Sequence, residues 1–323
     1  MTASVLQVRD LKVHYQRRSF NPFAAAPPVR AVDGVTLSIA RGQTLGLVGE
    51  SGCGKTSLAR AILRLNAITG GQVILNDRAI EGARGTELRA ARRQMQYIFQ
   101  DPYSSLNPRV RAGDIVRSPL EVLEIGTAEE RRQRVSELFA AVGLRPEQQA
   151  LFPHQFSGGQ RQRINIARAL APRPSLIVCD EPVSALDVAI RAQILNLLTR
   201  LQKDLGLAYL FISHDMGVIK HVSDTVAVMY LGQIVEQAPR STFFSAPRHP
   251  YSIALMSAIP SASGRGRPAE RIRLRGDPPS PMAIPPGCRF APRCPMATAA
   301  CSQSVPPLKE VGAEHLVSCH LVS

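Results

Sequence analysis

The stretch that most restricts this chain is Gly49-Glu50-Ser51-Gly52-Cys53-Gly54-Lys55-Thr56, with Ser57 behind it. The apolar run Leu45-Gly46-Leu47-Val48 before it reads as a buried strand, and Leu58-Ala59-Arg60-Ala61-Ile62-Leu63 after it reads as a helix. Strand, glycine loop and helix in that order suit a polyphosphate: glycines let successive backbone N–H groups turn inward, and the helix N-terminus adds its own positive end. Lys55 then reaches the outer phosphates, and the Thr56 hydroxyl ligates magnesium. A glycine-rich turn that binds nothing has no need of the strand and helix around it.

A chain of 323 residues has room for a main domain and an appendage. It contains no run of about 18 apolar residues, the minimum for a spanning helix. The start Met1-Thr2-Ala3-Ser4 lacks the charged and apolar regions of a signal peptide, so a cytosolic protein is expected. Basic residues outnumber acidic ones 39 to 25, a net charge of +14 that favours nucleotides, nucleic acid or an anionic membrane face. The basic residues are dispersed in small groups such as Arg17-Arg18, Arg92-Arg93 and Arg131-Arg132, without the interleaved aromatics of a single-strand platform. With aromatics at 5% and no tryptophan, the composition argues against a nucleic-acid partner. Six cysteines in a cytosolic chain argue for metal or burial over disulfides.

Residues 5–13 and, more clearly, Val35-Thr36-Leu37-Ser38-Ile39 alternate as strands, so a small antiparallel sheet is expected ahead of the glycine loop. Residues 17–28, with three prolines, break regular structure. Tyr15, just before that break, either stacks on an adenine ring or is a half-buried strand tyrosine. Tyr97-Ile98-Phe99 is a short strand ending in Gln100-Asp101-Pro102, where Gln100 is either an ordinary loop residue or a group reaching both magnesium and a water. Residues 104–151 turn helical, with Val135, Leu138, Phe139 and Val142 as a core stripe. Ser157-Gly158-Gly159-Gln160 opens a second helix, residues 161–170, as an anion site or as an ordinary cap. Leu176-Ile177-Val178-Cys179 is a buried strand ending in Asp180-Glu181, two carboxylates that are costly there without a cation or partner. Asp180 suits magnesium held through a water, and Glu181 suits the polarising of an attacking water. Ser184-Ala185-Leu186-Asp187 turns into a helix over 188–205, and Tyr209-Leu210-Phe211-Ile212 is a further strand ending at Ser213-His214-Asp215. His214 is either structural or a phosphate sensor, and the two strands flanking Leu231-Gly232 form a hairpin.

From Pro260 onward the texture changes, because 11 of the 25 prolines fall there together with Cys288, Cys294, Cys301 and Cys319. An irregular tail is expected. The intervals between these cysteines, five, six and seventeen residues, are wider than zinc knuckles, and four thiolates are the ligand set of an iron–sulfur cluster. A four-iron cluster is the expectation, with zinc, unligated thiols or disulfides as alternatives and with Arg289 and Arg293 placed to offset thiolate charge. Cys53 and Cys179 read as small buried residues.

Taken in order, the glycine loop, Gln100, the Ser157–Gln160 signature, Asp180-Glu181, the 184–187 turn and His214 resemble the ATPase subunit of an ATP-binding-cassette transporter. Phe156 stands where that family usually has leucine, apolar for apolar. The segment 100–109 and the cysteine tail are similar to the oligopeptide/dipeptide importer branch, which includes nickel and glutathione importers, and the interruption at 17–28 with Glu181-Pro182-Val183-Ser184-Ala185-Leu186-Asp187 resembles that branch's second ATPase subunit. The resemblance implies an α/β phosphate-loop core with an antiparallel β subdomain over residues 1–259, an inserted helical subdomain at about 104–170, and a tail over 260–323. It implies ATP and magnesium as ligands, with Thr56, Gln100 and Asp180 on the metal, Glu181 as base and His214 on the γ-phosphate. It implies a head-to-tail pair with a homologous second ATPase, whose ATP meets the signature, and two membrane permeases docking near Gln100 and residues 104–119. A solute-binding protein is an indirect partner, and the site of action is the cytoplasmic face of the inner membrane. A soluble cassette working on nucleic acid or ribosomes is the rival, but such proteins generally carry paired cassettes or a long coiled-coil insertion, and this chain has neither.

Overall fold

The computed structural model describes residues 4–16, 27–258, 272, 274 and 276–322. Most of the interruption expected at 17–28, and the boundary expected at 259–260, lie outside the described residues. In chain order the strands and α-helices are β1 Ser4–Tyr15, β2 Val29–Ala40, β3 Thr44–Val48, α1 Lys55–Ile62, β4 Gly70–Leu75, β5 Arg78–Ala79, α2 Gly85–Gln94 and β6 Met95–Ile98. There follow α3 Ala112–Val122, α4 Ala128–Ala141, α5 Gly158–Leu170, β7 Leu176–Asp180, α6 Val188–Leu205, β8 Ala208–Ile212, α7 Met216–Val222, β9 Thr225–Tyr230 and β10 Gln233–Pro239. The chain closes with α8 Arg240–Ser245, α9 Pro250–Ser257, α10 Ala299–Gln303, β11 Lys309–Gly312 and β12 His315–Val317. The expected antiparallel subdomain is a four-stranded sheet in the order β2-β1-β4-β5. No helix among the described residues is long and apolar enough to cross a membrane.

The chain divides into two compact units. The first comprises the described residues of Met1–Gln7, Ser38–Thr44 and Ile74–Ile212. Its parallel strands β6, β7 and β8 pair in register, Ile98 with Cys179 and Cys179 with Phe211. β7 and β8 are buried along their whole length, which is why their sequences are continuous apolar runs instead of alternating ones. The helices begin where a side chain can satisfy orphan N–H groups. Thr127 and Glu130 form a reciprocal capping box on α4, Ser157 and Gln160 do the same on α5, and Asp187 caps α6. The Ser157 cap starts α5 at Gly158, three residues ahead of the expected start.

The second unit holds Val8–Leu37, Leu45–Val73 and Ser213–Ser323 as far as they are described. Here β3 runs parallel to β9, while β10 folds back antiparallel on β9 through Leu231 and Gly232, both at positive φ. The tail departs from expectation, because β12 pairs antiparallel with β10, Glu236 opposite Val317, and β11 pairs with β12. Proline density did not register the seven strand residues, which lie beyond the last proline and form a hairpin on the edge of β10. Glu236 is fully buried under this edge and accepts hydrogen bonds from Arg248 N at 2.8 Å, His249 N at 2.9 Å and His315 Nε2 at 2.7 Å. Three donors are what makes a carboxylate tenable there.

His249 is 1% exposed and caps α9 by accepting from Tyr251 N at 3.1 Å. Burial pushes its pKa down to about 4 from 6.5. Because the folded value is depressed, the unfolded chain takes up the proton first. The stabilisation is therefore complete above pH 6.5 and is lost as the pH falls towards 4. We expect urea titrations to show up to about 3 kcal/mol of acid destabilisation from this residue, and His249→Asn, which keeps a capping acceptor, to remove that share of the slope. An unchanged slope in the variant would place the acid sensitivity elsewhere.

Candidate functional site

The glycine loop lies in the second unit, leaving the end of β3 and entering α1. Gly49 has φ +156° and Gly54 φ +111°, and a Cβ on them would lie 2.2 Å from Met229 O and 2.1 Å from Ala31 O respectively. No side chain fits at either position, so the backbone itself forms the inner wall of the loop. Lys55 is 7% exposed, and its Nζ donates to Gly49 O and Glu50 O, each at 2.8 Å. A longer contact of 3.7 Å to Cys53 Sγ completes the set, and these neutral partners solvate the ammonium without cancelling its charge, so the loop holds a buried positive charge under a curled backbone. Ser51 and Gly52 form the outer rim, and Thr56 stands exposed in the first turn of α1. Tyr15, 38% exposed, donates its hydroxyl to Ser57 Oγ at 3.4 Å and accepts from Asn66 Nδ2 at 2.7 Å. Its hydroxyl is thus tethered to both sides, at Ser57 and Asn66, and the residue stays partly exposed. His214 follows β8 in the same unit as the loop and is exposed.

The acidic pair lies in the first unit. Asp180, the last residue of β7, is 3% exposed and accepts from the Tyr97 hydroxyl at 2.5 Å. Glu181 turns sharply away with φ +47°, its N–H bonded to Ile212 O at 3.0 Å. A side-chain-bearing residue in the left-handed region is strained, and the strand bond is what holds it there. Gln100 Nε2 donates to Glu181 Oε2 at 2.9 Å, so the glutamine and the glutamate that the sequence singled out separately are neighbours. The 184–187 turn stays with them, since Ser184 Oγ donates to Glu181 O at 3.0 Å and Asp187 Oδ1 accepts from Ile190 N at 2.9 Å. Ala185 and Leu186 bridge these two anchors. In the signature, Ser157 Oγ accepts from Gln160 N at 3.3 Å, and Gln160 Oε1 accepts from Ser157 N at 3.0 Å. A Cβ at Gly159 would meet Ile190 Cγ2 at 2.4 Å, so the second glycine is needed for close packing of α5 on α6. Gly158 faces Tyr103, whose ring carries the Arg161 guanidinium 4.3 Å from its centroid.

The cysteines fall into two sets. Cys53 and Cys179 are buried as expected, and burial raises both thiols. Burial, followed by backbone hydrogen bonds that lower it and the charges of Cys301 and Cys319, leaves Cys288 above its ordinary value. Cys294 is likewise raised mainly by burial, with the same two cysteines contributing, so the four share one neighbourhood. Yet no group of three or more His, Cys, Asp or Glu among the described residues is placed to hold a metal ion. Cys301 Sγ lies 3.4 Å from Thr298 Oγ1, and Cys319 Sγ accepts from Leu321 N at 3.4 Å. The donor set fits a cluster in kind but not in placement. Nor do the arginines serve the thiols: Arg289 binds Asp33 and Leu231 O, and Arg293 binds Glu50 of the glycine loop. Carboxylates and a buried carbonyl outcompete protonated thiols for a guanidinium.

Tyr97, Tyr251 and Arg293 were not singled out as groups touching the motifs. Tyr97 had a local signal, three residues ahead of Gln100 on the strand beside Asp180. Tyr251 and Arg293 had none, since their bonds to Glu50 join residues 201 and 243 positions apart.

Residues 32–184 match the family model described as ABC transporter, and residues 235–301 match the oligopeptide/dipeptide transporter C-terminal region. The chain is 46% identical over 322 residues to the oligopeptide transport ATP-binding protein AppF of Bacillus subtilis, covering 99% of this chain and 98% of that one. It is 48% identical to the probable peptide ABC transporter ATP-binding protein y4tS of Sinorhizobium fredii, over 99% of this chain and 91% of the other. Among solved structures it resembles the ATP-binding cassette MJ0796 in a dimeric post-hydrolysis state with ADP and Pi, at 28% identity and TM-score 0.64, covering 73% of this chain and 98% of that one. The chain therefore belongs to the ABC transporter family of ATP-hydrolysing cassettes, and it carries the C-terminal region of the family's oligopeptide/dipeptide branch.

Proposed function

We propose that this chain is the ATP-hydrolysing subunit of an importer for oligopeptides or dipeptides. The observation that carries the reading is full-length similarity to peptide-import ATPases, through both the cassette and the C-terminal region, around a glycine loop shaped for a polyphosphate. In this proposal the backbone of 49–54 and Lys55 hold the phosphates, Thr56 supplies a magnesium ligand, and Tyr15 stacks on the base. Magnesium, bound with ATP, neutralises charge that builds on the phosphates during transfer. Gln100 and Asp180 are its further proposed ligands, Asp180 through a water. Glu181 takes the proton from the attacking water, Gln100 orients its carboxylate through the hydrogen bond seen between them, and His214 steadies the γ-phosphate. Glu181→Gln keeps the loop and removes the base. We expect ATP binding by this variant within about threefold of wild type and hydrolysis lower by about a hundredfold or more. Lys55→Ala should instead weaken binding itself. Hydrolysis by the glutamine variant at near wild-type rate would overturn the assignment of the base.

We further propose that the signature, Ser157 to Gln160, serves the ATP of a homologous second ATPase, because the chain has one glycine loop and one signature. Two permeases would receive the motion of that pair on the cytoplasmic side of the membrane, with a solute-binding protein delivering cargo from outside. The isolated chain is then expected to hydrolyse ATP slowly and to gain at least about tenfold when assembled with the sister ATPase and permeases. Ser157→Arg, which crowds the facing phosphate, should abolish the gain. Equal rates alone and assembled would count against the pairing.

The tail cluster stays a proposal apart from this mechanism. Its support is the shared neighbourhood of four cysteines, and closure of their side chains around iron is what it demands. Protein purified without oxygen is expected to be brown and to hold about four irons per chain. A colourless protein, with zinc or without metal, would refute it.

A further inference from the structure

Glu50 is an oddity in a loop built for anions. Its carboxylate stands in the second position of the glycine loop, where it would repel a polyphosphate unless its charge were cancelled. The second unit cancels it from far along the chain. Arg293, with a side chain 7% exposed, meets it fork to fork, Nη1 to Oε2 at 2.7 Å and Nη2 to Oε1 at 3.1 Å. The backbone of Glu50 is held as well: its N–H donates to the Tyr251 hydroxyl at 2.9 Å, and its carbonyl accepts from Lys55 Nζ.

The arginine is itself mounted rigidly. It ends the 3-10 turn Ala291–Arg293, directly before Cys294. The preceding Phe290, 1% exposed, packs edge to face on Tyr230 with centroids 5.3 Å apart and lies 5.4 Å from Tyr251. Tyr230 and Tyr251 pack on each other at 4.7 Å, so one aromatic cluster holds both the hydroxyl and the guanidinium that grip Glu50. We infer that Arg293 is a positioning residue for phosphate binding: from the cysteine-bearing tail it neutralises and orients Glu50, so that nucleotide affinity depends on a lobe remote from the loop in sequence. This rests on the proposed nucleotide reading of the loop.

The test is equilibrium binding of ATP and of adenosine, by calorimetry without turnover, to the full chain and its variants. Arg293→Gln, which is shorter but keeps a polar, uncharged side chain in the slot, should weaken ATP roughly tenfold and leave adenosine unchanged, by exposing one uncancelled carboxylate to the phosphates. Arg293→Lys should recover most of the loss. The double variant Glu50→Gln with Arg293→Gln should return to within about threefold of wild type, since no charge is left to cancel. Raising the salt should shrink the defect of Arg293→Gln. If wild type fails to bind ATP, the reading of the loop falls and this inference with it. If wild type binds and Arg293→Gln binds equally, the inference alone falls. It falls too if the double variant is as weak as the single, because damage to the lobe would then explain the loss. Should Arg293→Gln not fold, Glu50→Gln alone decides: an unopposed Arg293 should tighten ATP by about threefold, and unchanged or weaker binding overturns the proposal.

Discussion

At Gly49 and Gly54 the backbone passes so close to Met229 O and Ala31 O that a single methyl group would collide. That closeness leaves backbone, in place of side chains, as the lining at these two positions, and Lys55 follows as the first residue of α1. Each flanking element serves the constraint. β3 is buried throughout and delivers the chain to Gly49 without freedom to shift, and β9 supplies the carbonyl that excludes a Cβ. A lining made of backbone needs no reorganisation when charge arrives, which is the electrostatic condition for both tight binding and fast chemistry.

In the other unit the same economy holds for the carboxylates. Asp180 is buried at the end of a parallel strand and is tolerable because Tyr97 donates to it. Glu181, one residue on, is bent out of strand conformation by a positive φ, so adjacent carboxylates face different surroundings and can take different roles. The bond from Gln100 to Glu181 links the end of β6 to the end of β7. A change at the glutamine is thereby felt at the glutamate without any intermediary.

The tail shows how a segment without a strong pattern becomes structural. β12 finds the edge of β10, Glu236 is sealed beneath it by three donors, and Phe290 joins Tyr230 and Tyr251 in one cluster. Arg289 and Arg293 then run from this lobe to Asp33 and Glu50. The C-terminal region is thus tied to the glycine loop by charge and by aromatic packing, while its thiols keep to local partners.

The motifs were legible in the chain because their physics is local. A glycine loop between an apolar run and a helix, a serine three residues before a glutamine at a helix start, and two acids closing a buried run each express a constraint within a few residues, and the structure shows the caps and the strands that follow. The strand pair in the tail was hidden because a short hairpin stabilised by another strand's edge has no periodicity long enough to read. The cysteines illustrate the opposite limit: four thiols in one stretch announce a donor set, but whether they converge depends on side-chain directions that spacing does not encode. Arg293 is the clearest case. Nothing near it in the sequence points to Glu50, since a guanidinium chooses its carboxylate by proximity and by loss of water, and both are created only when residues 243 positions apart are folded against one another.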